Sequence, residues 1–272
     1  WPSGHWNYVQ SIEERIAAIS GATLEDSKRC YNDLVGATGA RFVAVGDFDP
    51  ESLMKQLEEL FGNWKSPAPY ARIPARHFER APIDESARTP DKANAVLRAG
   101  LNLPLRDDHA DFPALLLGNY LLGGTSSGRL PARVREKEGL SYSTYSYLSA
   151  NPLDAAGSFG VSAIFAPQNR ERVERAVREE LERALAQGFT DAEVDAARKG
   201  LLEARRVQRG QDGALASRLS TYVYLGRTFA WDVELERQLA ALHQELLQAL
   251  ALDQLHDEVE QVVRFTEVDR AH

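Results

Sequence analysis

The chain has one cysteine, Cys30, and one methionine, Met54, in 272 residues. A single thiol excludes an intramolecular disulfide and a cysteine-rich metal knuckle. No run of about 18 apolar residues is present, so the sequence predicts no membrane partner. Basic residues are outnumbered 32 to 40 by acidic ones, giving a net charge of −8. That balance argues against a nucleic-acid partner, which demands a clustered basic surface. The start at Trp1-Pro2-Ser3-Gly4 has neither an initiator methionine nor a basic-then-apolar leader. It reads as a piece of a longer protein, with any signal peptide upstream.

Paired histidines are also missing. His5, His77, His109, His243, His256 and His272 never fall within five residues of one another, and neither H-E-x-x-H nor H-x-x-E-H occurs. A catalytic zinc takes about three protein ligands, commonly two histidines one helical turn apart plus a carboxylate. The predicted metal set in this chain is none, with the histidines as surface or capping residues; the alternative is a site assembled from distant histidines.

What is there reads as α+β, an antiparallel, mixed-edge sheet packed on helices. Ile12, Ile16 and Ile19 share one helical face, and Thr23-Leu24-Glu25-Asp26 is a capping box opening a second helix. A buried strand is expected over Arg41–Val45. Asp49 and Pro50 then supply an N-cap and a first-turn proline for a helix carrying Leu53, Leu57, Leu60 and Phe61. Between Ser66 and Pro90 periodicity gives way to five prolines, which reads as a linker with an edge strand near Ile73 to Phe78. The predicted division is 1–66, the tail of a preceding α+β unit; 67–90, linker and edge strand; and 91–272, a second α+β domain.

In that second domain the pattern predicts a strand over Ala93–Leu103, an apolar helix over Ala110–Leu122, and a glycine-rich loop ending in a short helix through Lys137. Strands over Leu140–Leu148 and Ser158–Phe165 follow as a hairpin. Helices over Arg170–Gln187, from the Thr190 capping box onward, and over Gln211–Leu225 complete it. Glu236–Leu242 echoes Glu13–Ile19, and Leu252–Leu255 echoes Leu24–Ser27. The echo suggests the tail of one repeat unit followed by most of a second.

Gly124-Thr125-Ser126-Ser127-Gly128 fits G-x-S-x-G, which would nominate Ser126 as a hydrolase nucleophile. That chemistry needs a strand leading into the turn. A helix precedes it here, so a helix–helix connection with Ser126 or Ser127 as a cap is the expectation. Arg133 to Tyr145 reads as a charged helix closing at Gly139, then a tyrosine-rich strand with Tyr142, Thr144 and Ser146 on one face.

Leu122–Leu130 followed by Val134–Ser143, with its R-x6-Y spacing from Arg135 to Tyr142, resembles the arginine/tyrosine segment of the pitrilysin/insulinase zinc peptidases, peptidase M16. Ala44–Pro50 and the Phe61-Gly62-Asn63-Trp64 closure are similar to the end of a preceding domain in that family. The resemblance implies a clamshell of homologous α+β units. An H-x-x-E-H zinc half would face an arginine/tyrosine half across a closed chamber, in a periplasmic setting.

This chain matches the second half, with no cofactor of its own and zinc in the partner half. By position, Arg135 would hydrogen-bond substrate carbonyls, and Tyr142 would donate to the scissile carbonyl oxygen as its charge develops. Partners would be that zinc-bearing half, on the same polypeptide or a separate subunit, and an unfolded or short polypeptide substrate. Alone, the chain is expected to be inactive. The alternative from another class is a noncatalytic pseudo-peptidase that serves as a structural or interaction domain.

Overall fold

In a computed structural model of the chain, residues 3, 5, 8–79, 81–87 and 91–243 are described. They divide into two compact units, Trp1–Ile73 and Pro74–His272. The second copy of the sequence echo, Leu252–Leu255, lies outside the described residues.

The first unit holds three helices, α1 (Ile12–Gly21), α2 (Leu24–Leu34) and α3 (Pro50–Phe61). Each start is fixed by a side chain that satisfies an unpaired amide of the first turn. Ser11 and Glu14 form a reciprocal capping box on α1, Thr23 and Asp26 do the same on α2, and Asp49 accepts from the Ser52 amide at 2.7 Å on α3. None of the three helices buries a residue, and Ile12, Ile16, Ile19, Leu24, Met54 and Leu60 are all exposed. The unit's clearest packing lies around Trp64, whose ring stacks on Tyr31 at 5.9 Å while its carbonyl accepts from the Ala37 amide at 2.7 Å.

Arg41–Val45 is not a strand. A ladder needs a neighbouring strand to take its hydrogen bonds, and none is assigned among the described residues of this unit. The edge strand expected near Ile73 to Phe78 is absent too. From Ala75 to Phe78 the chain is tied by side chains: Asp154 Oδ2 accepts from the Ala75 amide at 2.9 Å, and Asn102 Nδ2 donates to the Phe78 carbonyl at 3.2 Å.

The second unit is built on a three-stranded antiparallel sheet in the order β1-β3-β2, with β1 Ala95–Leu103, β2 Ser141–Ser149 and β3 Gly157–Phe165. One face is apolar. Leu103, Phe159, Val161, Ala163 and Phe165 join there one core with Leu117 of α4 (Phe112–Asn119), Val173 of α5 (Arg170–Gln187) and Leu239 of α8 (Ala230–Ala241). The helix expected over Ala110–Leu122 is α4 continued by a π-helical turn, Tyr120–Gly124. On the opposite face the Tyr147 ring lies across the middle strand at Gly160, where an added Cβ would sit 2.4 Å from the phenolic oxygen.

Helices α6 (Asp191–Arg209) and α7 (Asp212–Leu225) complete the unit. A buried charge cluster ties α6, α7 and α8 together. Asp232, only 2% exposed, accepts from Arg205 at 2.6 Å, from Tyr222 Oη at 2.6 Å and from Arg218. Burial pushes the Tyr222 phenol up to about 12, and the hydrogen bond to Asp232 adds to the effect. Arg227, just past α7, forks onto both Asp107 carboxylate oxygens at 2.6 and 2.7 Å, fixing the loop after β1.

Candidate functional site

The region around the predicted pair is set by glycines. The end of the first π-turn and the loop after it run directly against β2 and against themselves. A Cβ on Gly123 would lie 2.7 Å from the Ser146 amide, one on Gly124 2.7 Å from Asn119 Nδ2, and one on Gly128 2.9 Å from Gly123. Close backbone approach, not an elbow for a nucleophile, explains this G-x-S-x-G. Ser126 is exposed, and what precedes its loop is helical. Neither Ser126 nor Ser127 caps the following turn, which starts without a side-chain cap.

That following turn, Pro131–Lys137, is π-helical, a rare geometry that often marks functional sites. It ends at Gly139, whose φ of +60° belongs to the left-handed region. The amides of Glu138, Gly139 and Leu140 return to the carbonyls of Arg133, Arg135 and Val134 at 3.0, 3.1 and 2.9 Å. Buried Val134 and Leu140 seal the turn beneath, and β2 leaves directly from it.

Three arginines on this segment have different fates. Arg129 forks onto Glu193, Nε to Oε1 and Nη2 to Oε2 both at 2.8 Å, and its guanidinium carbon stands 4.4 Å above the Phe189 ring centre. Arg133 donates to Glu138 at 2.9 Å, to Glu180 at 3.3 Å and to Glu179. Burial opposes its charge, but the hydrogen bonds to Glu179 and Glu138 overcome this and raise its pKa. Among the described residues Arg135 has only Glu136 beside it, at 3.3 Å, and both side chains are exposed. Such a surface pair contributes little.

Tyr142 is 87% exposed, and among the described residues its hydroxyl has no hydrogen-bond partner. It does not share a face with Thr144 and Ser146, which are buried. The register slips between Ser141, opposite Phe165, and Ser143, opposite Ile164, so Tyr142 is the extra residue of a β-bulge. A bulge shifts the alternation by one. Tyr142 is thereby exposed with Tyr145 and Tyr147. Arg135 and Tyr142 thus flank the Gly139 turn from its two ends, with no hydrogen bond between them among the described residues.

Glu193 also closes the α6 capping box, its Oε2 accepting from both the amide and the hydroxyl of Thr190 at 2.8 Å. The Arg129 hydrogen bond is the largest reason its carboxyl falls from the ordinary 4.5 to about 2, against an opposing contribution from burial. A depressed folded-state pKa means that the unfolded chain binds more protons in between, so acid favours unfolding. The contribution is fully present above about pH 4.5 and is lost as pH falls toward 2. Urea melts of wild type and Glu193→Gln should therefore differ by a constant amount above pH 5 and converge toward pH 2. A gap that stays constant to pH 2 would remove Glu193 from the acid response.

Among the described residues, no group of three or more His, Cys, Asp or Glu side chains is placed to hold a metal ion. Helix α4, largely buried, carries no histidine, cysteine or carboxylate side chain. The residues present do not fit a zinc ion.

The second unit is an α+β domain in which the described residues form no metal-binding cluster. The chain belongs to the peptidase M16 family: the model of the peptidase M16 inactive domain matches residues 21–201. It is 30% identical to an uncharacterized zinc protease of Streptomyces coelicolor over 249 residues, covering 88% of this chain and 53% of that protein. The chain spans about half the length of the curated relatives it matches. Its fold is similar to the crystal structure of a peptidase M16 inactive domain from Pseudomonas fluorescens, with a TM-score of 0.64 and 21% identity over 88% of this chain and 56% of that one. A protease from Helicobacter pylori gives a TM-score of 0.68 and 17% identity over 88% and 57%.

Proposed function

We propose that this chain is the substrate-contacting, catalytically incomplete half of a zinc-dependent endopeptidase. The H-x-x-E-H half that supplies the metal chemistry would lie on the same polypeptide or on a separate subunit, facing this one across a closed chamber. In that arrangement residues 1–66 close a preceding α+β unit, 67–90 link, and 91–272 form the inactive domain. One observation carries the reading. Of the three arginines on the motif segment, Arg129 and Arg133 are held by carboxylates from α6 and α5, whereas Arg135 stands exposed at one end of the Gly139 turn and Tyr142 at the other.

Each group suits its role. Arg135 offers a fork of donors to substrate carbonyls, and backbone carbonyls are common to every polypeptide, so such a contact binds without reading sequence. Tyr142 offers one directed hydroxyl for the oxygen of the scissile carbonyl. The likeness to relatives named zinc proteases supports the class, and a pseudo-peptidase interaction domain is the outcome if the pair proves idle.

In the assembled protease, Arg135→Ala should raise KM for a peptide substrate by about tenfold or more, since a hydrogen bond from a charged donor contributes ~1.5–3 kcal/mol. Steady-state kinetics against a quenched fluorescent peptide would measure it. An unchanged KM would end the substrate role of Arg135.

A further inference from the structure

Arg133 is two residues from Arg135, and residues two apart on a helical turn do not face the same way. Arg133 faces inward and reaches three carboxylates. Glu179 and Glu180 sit on α5, and Glu138 stands immediately before Gly139. Glu180 is 2% exposed, and its carboxylate is met by Arg133 and by Arg183 Nη2 at 2.9 Å. Its Oε2 makes no properly angled hydrogen bond despite that short approach. The Arg183 contact is therefore charge pairing alone.

The consequence is mechanical. An i→i+5 turn is a poor helix by itself and needs outside restraint to hold one geometry. Val134 is restrained by burial in the core, and Arg133 by bonds at both ends, to α5 on one side and to the residue preceding Gly139 on the other. Among the described residues Arg135 has no comparable anchor, so its direction follows from that of its neighbours.

From this geometry we infer that Arg133 is a positioning residue: its three-carboxylate clamp holds the π-turn so that Arg135 projects toward bound polypeptide. The inference rests on the substrate role proposed above for Arg135. Arg133 touches no substrate itself. What it controls is the placement of a guanidinium two residues away, and misplacement of a binding group by about 1 Å can cost up to about a hundredfold.

The test is a double-mutant cycle in the assembled protease, with KM and kcat read separately. Arg133→Gln should raise KM about tenfold in the wild-type background while kcat stays within about twofold. In an Arg135→Ala background the same substitution should change KM by less than about twofold, because a residue that acts only through Arg135 has nothing left to position. Glu138→Gln keeps the buried Glu180 paired and removes only the charge from the bond nearest β2. It should give a smaller KM increase with the same dependence on Arg135, and it serves if Arg133→Gln does not fold.

Equal losses in both backgrounds would show a purely structural role and overturn the inference, as would an unchanged KM in Arg133→Gln and Glu138→Gln. If Arg135→Ala alone leaves KM unchanged, the substrate role falls and this inference falls with it. That result is distinct from the case in which Arg135→Ala matters and Arg133→Gln does not.

Discussion

Tyr142→Phe in the assembled protease should lower kcat by about two to three orders of magnitude while KM changes little. Removing one preorganised donor to a developing oxyanion typically has that effect. The substitution takes away a single oxygen. It leaves no buried polar group behind, because the side chain is 87% exposed and its hydroxyl has no intramolecular partner among the described residues. The folded half should therefore melt as wild type does, which separates lost chemistry from lost structure. A donor used in ground-state binding alone would show in KM. An unchanged kcat in Tyr142→Phe would remove the oxyanion role and favour the interaction-domain reading.

The second large effect concerns stability. Asp232→Ala should destabilise the second unit by about 3–5 kcal/mol, the usual result of removing one partner from a buried ionic cluster. Arg218 would lose its carboxylate and Tyr222 its acceptor, while Arg205 keeps only Glu236. For a unit of this size about 10 °C in Tm is expected. Differential scanning calorimetry would record it, with the exposed pair Glu203–Arg206 as control: Glu203→Ala should leave Tm in place. A shift at Asp232 no larger than at Glu203 would show that the cluster does not hold α6, α7 and α8 together.

Much of the second unit was legible in residue order, and the reasons are local. Gly188 stops α5 and Thr190 with Glu193 starts α6, so adjacent signals fix two boundaries within three residues. The alternation of Ser158–Phe165 matches β3 closely. Arg41–Val45 failed for a reason no window can contain: five apolar-rich residues become a strand only beside another strand. Tyr142 was placed on the wrong face because the bulge depends on how β2 meets Phe165 and Ile164, more than twenty residues later. Arg133 carried no signal at all, since two of its three carboxylates stand on α5, far along the chain. The capping box at Thr190 implies the bond that Glu193 returns to its amide, whereas the bond to Arg129, 64 residues earlier, leaves no local signal.

The extra residue at Ser141–Ser143 bears on how relatives are compared. Strand positions carry parity, and a bulge reverses it once. The six residues between Arg135 and Tyr142 are therefore not a sufficient description of the pair. A relative with the same count and an unbroken ladder would turn its tyrosine toward the core. Insertions and deletions here should be judged as even or odd rather than by length: an odd change upstream of Tyr145 exchanges the inner and outer sets of β2 unless the bulge moves with it.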